Sequence, residues 1–339
     1  MTTTPRRTPT LEDLAARAGV SRATASRVLR GQTNVSDEAR EAVLAAAEEL
    51  SYTPNQAARS LVTGRSNSLA FCVDESQERM FSDPFFFGML RGAQGVVAGA
   101  GQQLVFTVTS REEEHRRFLA YAAAGHVDGV LLLSLHGRDR LPQELEAIGV
   151  PTVLSGRPLT GASLYYVDAD NVGGGRLATE HLRRAGRRVV AHVAGPLDMC
   201  AGQDRLAGYR EALGEDFEPE LVESADWTVA GGEAATAELL RRRPDLDAVF
   251  AGSDLEALGV IRALEHAGRR VGTGADEVAV VGFDDVQAAD QQRVPLTTVR
   301  QPIADLGATM TSRLLERLAG EDPPRSTVLP VELVVRRTA

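Results

Sequence analysis

The sequence predicts an α/β protein: a small N-terminal helical unit followed by two doubly wound lobes. Three observations carry this expectation. Residues 10–50 read as short, capped helices separated by glycines. From residue 69 onward, near-continuous apolar runs alternate with amphipathic helical stretches in two successive series, the pattern of parallel sheets covered on both faces. At 339 residues the chain is also too long for one small core.

Thr10 and Asp13 form a T-x-x-D capping signal, and Leu11, Leu14, Ala15 and Ala18 repeat at helical spacing. Gly19 breaks this first helix, and Ser21 can cap a second over 22–30. Gly31 ends that one. Ser36 caps a third, with Asp37 and Glu38 at its positive end and Val43, Leu44, Ala47 and Leu50 on its inner face. Two helices joined by a tight glycine-containing turn, with a third packed on them, make a helix-turn-helix. Residues 55–62 form a helical segment with almost no apolar face, too short to stand alone in water. Residues 63–68 read as a linker.

In the body the expected strands are Leu69–Val73, Leu104–Thr109, Gly129–Leu133, Thr152–Ser155 and Tyr165–Val167. The second series is Val189–Ala194, Leu221–Glu223, Ala248–Ala251 and Val278–Phe283. Helices such as Gly88–Ala100 and Asp254–Ala267 separate most of them. Ligands of open α/β sheets bind at the carboxyl ends of the strands, so two facing lobes place a cleft between them.

The net charge of −10 argues against a polyanion partner until it is divided along the chain. Residues 1–65 hold nine Arg against seven acidic residues, and the excess of acid lies wholly in the body. A basic head on an acidic body meets nucleic acid with its head alone. Two isolated cysteines, Cys72 and Cys200, offer neither a disulfide framework nor metal spacing, and the start lacks an apolar export region. These features imply the cytoplasm. No long apolar run predicts a membrane span. The GGG at 173–175 lacks the strand–GxGxxG–helix context of a nucleotide loop and reads as helix-start packing. Neither a GxSxG elbow nor a P-loop lysine occurs, so no enzyme activity and no cofactor are expected.

The stretch TLEDLAARAGVSRATASRVLRG at 10–31 resembles the headpiece of the lactose-repressor (LacI) family, and YTPNQAARSL at 52–61 resembles that family's hinge. The body resembles the LacI-family sensor, which is itself similar to periplasmic sugar-binding proteins, through DPFF at 83–86, VDADNVGG at 167–174, DRLAGY at 204–209, GSDLEALG at 252–259, VGFDD at 281–285 and PLTTVRQP at 295–302. The resemblance implies a headpiece over 1–54, a hinge helix and linker over 55–66, and an effector-binding and dimerisation domain over 67–339. Lobe 1 would take 67–168 and 299–325; lobe 2 would take 169–298 and 326–339.

It implies a homodimeric, sequence-specific transcriptional regulator: a repressor on a palindromic operator, released by a sugar or sugar derivative. Corepression or activation remains open at this stage. A secreted sugar-transport protein would share the body but not the headpiece.

By position, Arg22, Ala23 and Arg27 would read bases. Ser21, Thr24 and Ser26 would contact phosphates or nearby edges. Asn55, Ala58, Arg59 and Leu61 would make the hinge contacts, Leu61 as a wedge between base pairs. Phe85, Phe86, Arg205, Trp227, Ser253 and Asp284 would line the effector cleft. A charged fork, a carboxylate and an aromatic face suit a polyol. The chain departs from the family pattern where Ser253 replaces a common Asn and Asp83 another. Ser155-Gly-Arg-Pro carries no acid where one is common, and the loop over 75–82 is longer than usual. No apolar heptads follow the last strand, which implies a dimer in preference to a tetramer.

Overall fold

The computed structural model describes residues 9–29, 34–53, 64–137, 139–160, 163–287 and 294–339. The chain divides into two compact units, Met1–Ser66 and Asn67–Ala339.

The first unit packs α1 (Leu11–Arg17), α2 (Arg22–Leu29) and α3 (Asp37–Glu49) around Leu14, Ala15, Ala25, Val28, Val43 and Ala46. Each start is locally specified. Thr10 and Asp13 form a reciprocal capping box, Ser21 accepts the Thr24 N–H, and Ser36 accepts the Ala39 N–H. The turn between α1 and α2 places Gly19 at φ +66°, a conformation that costs glycine little. Of the residues expected on the inner face of α3, Val43 is buried and Ala47 and Leu50 pack against the same core, but Leu44 is exposed, and Ala46 is buried in addition.

The second unit contains two sheets. The first is assembled from β1 (Ser68–Asp74), β2 (Gln103–Thr109), β3 (Gly129–Leu133), β4 (Thr152–Ser155), β5 (Tyr165–Ala169) and β12 (Ser326–Leu329), in the order β12-β5-β4-β3-β1-β2, all parallel. The second takes β6 (Val190–Ala194), β7 (Val222–Ser224), β8 (Ala248–Ala251), β10 (Glu277–Asp284), β11 (Thr297–Arg300) and β13 (Glu332–Val334), in the order β13-β11-β10-β8-β6-β7. Its β13 runs antiparallel to β11, and the two-residue β9 (Arg270–Val271) pairs with β10.

Successive strand residues feed opposite cores, which is why these strands read as unbroken apolar runs. In β1, Leu69, Phe71 and Val73 face one core while Ala70 and Cys72 face the other. The first core is closed by α5 (Pro84–Gly99) and α12 (Ile303–Leu318), the second by α6 (Glu112–Ala123) and α7 (Leu141–Ala147). The second sheet is covered likewise by α8 (Asn171–Arg184) and α9 (Cys200–Leu213) on one face, and by α10 (Val229–Arg242) and α11 (Asp254–His266) on the other.

Three features differ from the sequence reading. The long loop after β1 contains a helix, α4 (Gln77–Ser82), capped by Ser76. The next helix starts at Pro84, four residues earlier than expected, because Asp83 caps it and Pro fits its first turn. The chain crosses between lobes after Ala169, after Arg300 and after Leu329. The third crossing was expected near residue 325, with 326–339 in lobe 2. Instead Ser326–Leu329 pairs with β5 in the first sheet and caps its edge, a long-range pairing that short strands do not announce. Val299 and Arg300, assigned to lobe 1, pair with β10 and β13 in the second sheet.

Close helix contact fixes lobe 1. A Cβ on Gly92 of α5 would lie 1.8 Å from the Ala304 carbonyl oxygen of α12, and one on Gly307 would lie 2.1 Å from that of Met89. Gly92→Ala is therefore expected to destabilise the sensor by about 1–3 kcal/mol through overpacking. Urea denaturation of the variant should show it; an unchanged midpoint would mean the helices separate freely.

Candidate functional sites

In the first unit, α2 presents two faces. Ala25 and Val28 are buried, whereas Arg22, Ala23 and Arg27 are exposed and Thr24 and Ser26 lie between. That division follows from helical spacing: residues three apart share the inner face and their neighbours point out. Ser21 is exposed, and its hydroxyl both accepts the Thr24 N–H at 3.1 Å and bonds the Thr24 hydroxyl at 2.8 Å. Arg22 pairs with Glu12 of α1 at 3.0 Å, an exposed pair of little energetic weight that a stronger anion can displace. Asn55, Ala58, Arg59 and Leu61 lie outside the described residues.

In the second unit, a cleft between the two sheets holds about 710 Å³ of non-protein space, its open mouth included. All six expected cleft residues border it: Phe85, Phe86, Arg205, Trp227, Ser253 and Asp284. Their roles are not equal. Phe86 is 1% exposed and belongs chiefly to the lobe 1 core, with only an edge toward the cleft. Ser253 caps α11 by accepting the Glu256 N–H at 3.1 Å.

Arg205 is the centre of the cleft floor. Its guanidinium is buried, lies 3.7 Å from the Phe283 ring centroid and 5.0 Å from that of Trp227, and pairs with Asp284 at 3.6 Å. Its Nε donates to Asn171 Oδ1 at 2.8 Å and its Nη1 to the Gly252 carbonyl at 2.5 Å. The fork expected to clasp vicinal hydroxyls is thus engaged in part by the protein itself. Asp284 in turn accepts from Gln301 Nε2 at 2.6 Å. Burial, opposed by Arg205, pushes the Asp284 carboxyl up to about 7.

Asp284 and Asp285 have φ of +110° and +59°, costly for non-glycine residues. Neighbouring groups hold this turn. Asp285 pairs with Arg300 and Arg336, each at 2.6 Å, and buried Asp254 accepts the Val286 N–H at 2.9 Å. Trp227 has φ +64°, and its backbone N–H donates to Glu256 Oε1 at 3.0 Å. Its ring occupies the space a side chain would need at Gly195, which is why a glycine stands there.

Lobe 1 adds groups that the sequence reading did not single out. Arg79 of α4 reaches the cleft, donates to Ser134 at 3.3 Å, pairs with Glu75 and stands 5.4 Å from the Phe86 ring centroid. The signals available were the Ser76 cap and the Glu75–Arg79 spacing of four, which mark a helix but not its direction.

The lobes also touch through side chains. Arg157, after β4, binds Asp204 of α9 through Nε at 2.9 Å and Nη2 at 2.5 Å. His136, after β3, bonds Asp198 of lobe 2 at 2.7 Å, and the adjacent Gly137 N–H donates to the Asp198 carbonyl at 2.7 Å. Glu75 and Asp198 raise the His136 imidazole to about 9, so it carries its proton at neutral pH.

The Glu256 carboxyl is fully buried, and burial, opposed by the Trp227 N–H and Arg205, raises it from 4.5 to about 8. A raised folded-state value means this group's stabilisation is complete below about 4.5 and is lost as pH climbs through about 8. Glu256→Gln keeps an oxygen for the Trp227 N–H and removes the ionisation. Its melting temperature is expected to match the parent chain near pH 5 and to exceed it above about pH 8. Parallel melting curves across that range would mean Glu256 does not titrate there.

Comparison with known proteins places this geometry. Residues 10–55 match the family model for bacterial regulatory proteins, lacI family, and residues 179–339 match the periplasmic binding protein-like domain. The HTH-type transcriptional regulator CelR of Thermobifida fusca is 47% identical over 98% of this chain and 99% of its own length. The ribose operon repressor of Halalkalibacterium halodurans is 36% identical over 97% and 96%. Among solved structures, a complex of CelR with cellobiose is 45% identical with a TM-score of 0.78, covering 98% of this chain and all of that one. The lac repressor dimer bound to operator and an anti-inducer is 29% identical with a TM-score of 0.85, covering 98% and 99%.

Proposed function

This chain belongs to the LacI family of bacterial regulatory proteins, and we propose that it is a homodimeric repressor released from a palindromic operator by a short gluco-oligosaccharide of the cellobiose type. The observation that carries the effector class is the cleft itself. Buried Arg205, Asp284 and Gln301 form a polar floor beside the Trp227 ring, in a chain 45% identical to the CelR bound to cellobiose. Fixed polar groups on one side and an aromatic face on the other suit the hydroxyl edges and C–H faces of a pyranose. Among the described residues no helix is long and apolar enough to cross a membrane. The relatives compared above are transcriptional regulators.

The exposed face of α2 is the base-reading surface in this reading. Arg22 and Arg27 can each bridge guanine O6 and N7, Ala23 leaves room for a thymine methyl, and Ser21, Thr24 and Ser26 hold register on the backbone. Asn55, Ala58, Arg59 and Leu61 serve as hinge contacts, Leu61 by unstacking a base step.

Arg27→Ala is expected to weaken specific binding by about 1–3 kcal/mol per half-site and to relax preference at one position. Gel shifts on operator and random duplexes separate this from a phosphate contact, which would lower both equally.

The effector is expected to shift operator affinity by about 5–150-fold, and by linkage the operator must weaken effector binding by the same factor. Calorimetric titration of cellobiose with and without operator reads both sides. Binding of ribose in preference to cellobiose would reassign the effector class. Asp284→Ala should lose the response and retain operator affinity; a normal response would move the pocket elsewhere.

A further inference from the structure

A second polar cluster lies outside the cleft. Asp74 ends β1, His115 stands in the early turns of α6 and Asp139 follows β3. One ligand atom from each lies within 4.8 Å of the other two. Asp74 continues the alternation of Ala70 and Cys72, so it faces α6 and α7, whereas Phe71 and Val73 face α5. None of the three borders the effector cleft. The order β3-β1-β2 puts the cluster at the carboxyl ends of strands where the winding of the sheet reverses, the position at which open α/β sheets take ligands.

The bonding inside the cluster is incomplete. Asp74 Oδ1 meets His115 Nε2 at 2.6 Å and accepts the Thr109 hydroxyl at 3.4 Å. Asp139 Oδ1 accepts the Leu141 N–H at 2.8 Å. Its Oδ2 is shielded from water, receives no N–H or hydroxyl hydrogen bond from its surroundings, and faces the Asp74 carboxyl. Two carboxylates face one another here with a single imidazole, so their adjoining oxygens must hold either a shared proton or a cation between them. Glu112 adds further negative charge toward His115. Such a site is short of positive charge, and either a shared proton or a cation can supply it.

We propose that Asp74, His115 and Asp139 bind a divalent ion of the zinc type. His115 Nε2 and one oxygen from each aspartate are the protein ligands, and water completes the shell. One imidazole nitrogen with two carboxylate oxygens suits Zn²⁺, Co²⁺ or Mn²⁺ better than Ca²⁺, which takes six to eight oxygens. The ion replaces the proton shared by Asp74 and His115, which leaves to solvent. It ties together β1, α6 and the segment after β3. That segment also carries His136 and Gly137, the residues that hold Asp198 of lobe 2. The ion would therefore brace the lobe 1 end of an interlobe contact.

The test uses the full chain after chelation and dialysis, titrated calorimetrically with Zn²⁺ and, by visible absorption, with Co²⁺. One ion per chain is expected, with Co²⁺ bands showing nitrogen and oxygen ligation. Asp139→Asn and His115→Gln should each weaken binding by more than the about 10–100-fold that losing an outer-shell partner costs. The His115 variant should also change the Co²⁺ spectrum. Asp139→Asn leaves the Asp74–His115 bond in place, so it keeps the test readable should His115→Gln fail to fold. Melting without metal establishes which variants are folded. No saturable binding of either ion, or binding that survives in every folded variant, overturns the site.

Discussion

A guanidinium shut away from water must be paired on every side, and in this sensor that requirement falls on Arg205. Its partners come from four places in the chain: Asn171 at the first crossing, Gly252 after β8, Asp284 at the end of β10, and the faces of Phe283 and Trp227. Each contact fixes a segment that also borders the cleft. Gly175 belongs to the same constraint, because a Cβ there would lie 2.3 Å from the Arg205 carbonyl oxygen. Helix α8 must approach α9 this closely for Asn171 to reach the guanidinium.

The same site stores backbone strain. Trp227, Asp284 and Asp285 all have positive φ. None is a glycine, and each is restrained by a carboxylate or guanidinium nearby: Glu256 for Trp227, and Asp254, Arg300 and Arg336 for the aspartate turn. These restraints turn an aromatic ring and a carboxylate into the cleft. The cost in local strain is borne by ion pairs and hydrogen bonds behind the surface that a ligand would touch.

Three backbone crossings join the lobes, and charged side chains link them elsewhere. Arg157–Asp204 and His136–Asp198 are bonds from lobe 1 loops to lobe 2. A separation of the lobes would break both, so their present arrangement has an electrostatic component independent of any ligand. The Asp74–His115–Asp139 cluster bears on the same segment, two residues from Gly137.

The helix-turn-helix, its caps and the strand series were legible in the sequence because each depends on local spacing or on a contiguous motif, whereas the six residues that border the cleft were named only through the family resemblance. Thr10 with Asp13 caps a helix whatever lies around it, and β1 reads as buried on both faces from its composition alone. What local pattern does not encode is partnership across long separations. Pairing of Ser326–Leu329 with β5, the turning of Arg79 into the cleft and the pairing of Arg157 with Asp204 depend on how the sheets and helices stack. The same holds for the division of Arg205 between ligand and protein. The sequence could nominate a guanidinium for the cleft, but hydrogen-bond capacity is finite and directional. Only the folded arrangement of Asn171, Gly252 and Asp284 decided how much of that capacity the protein had already taken.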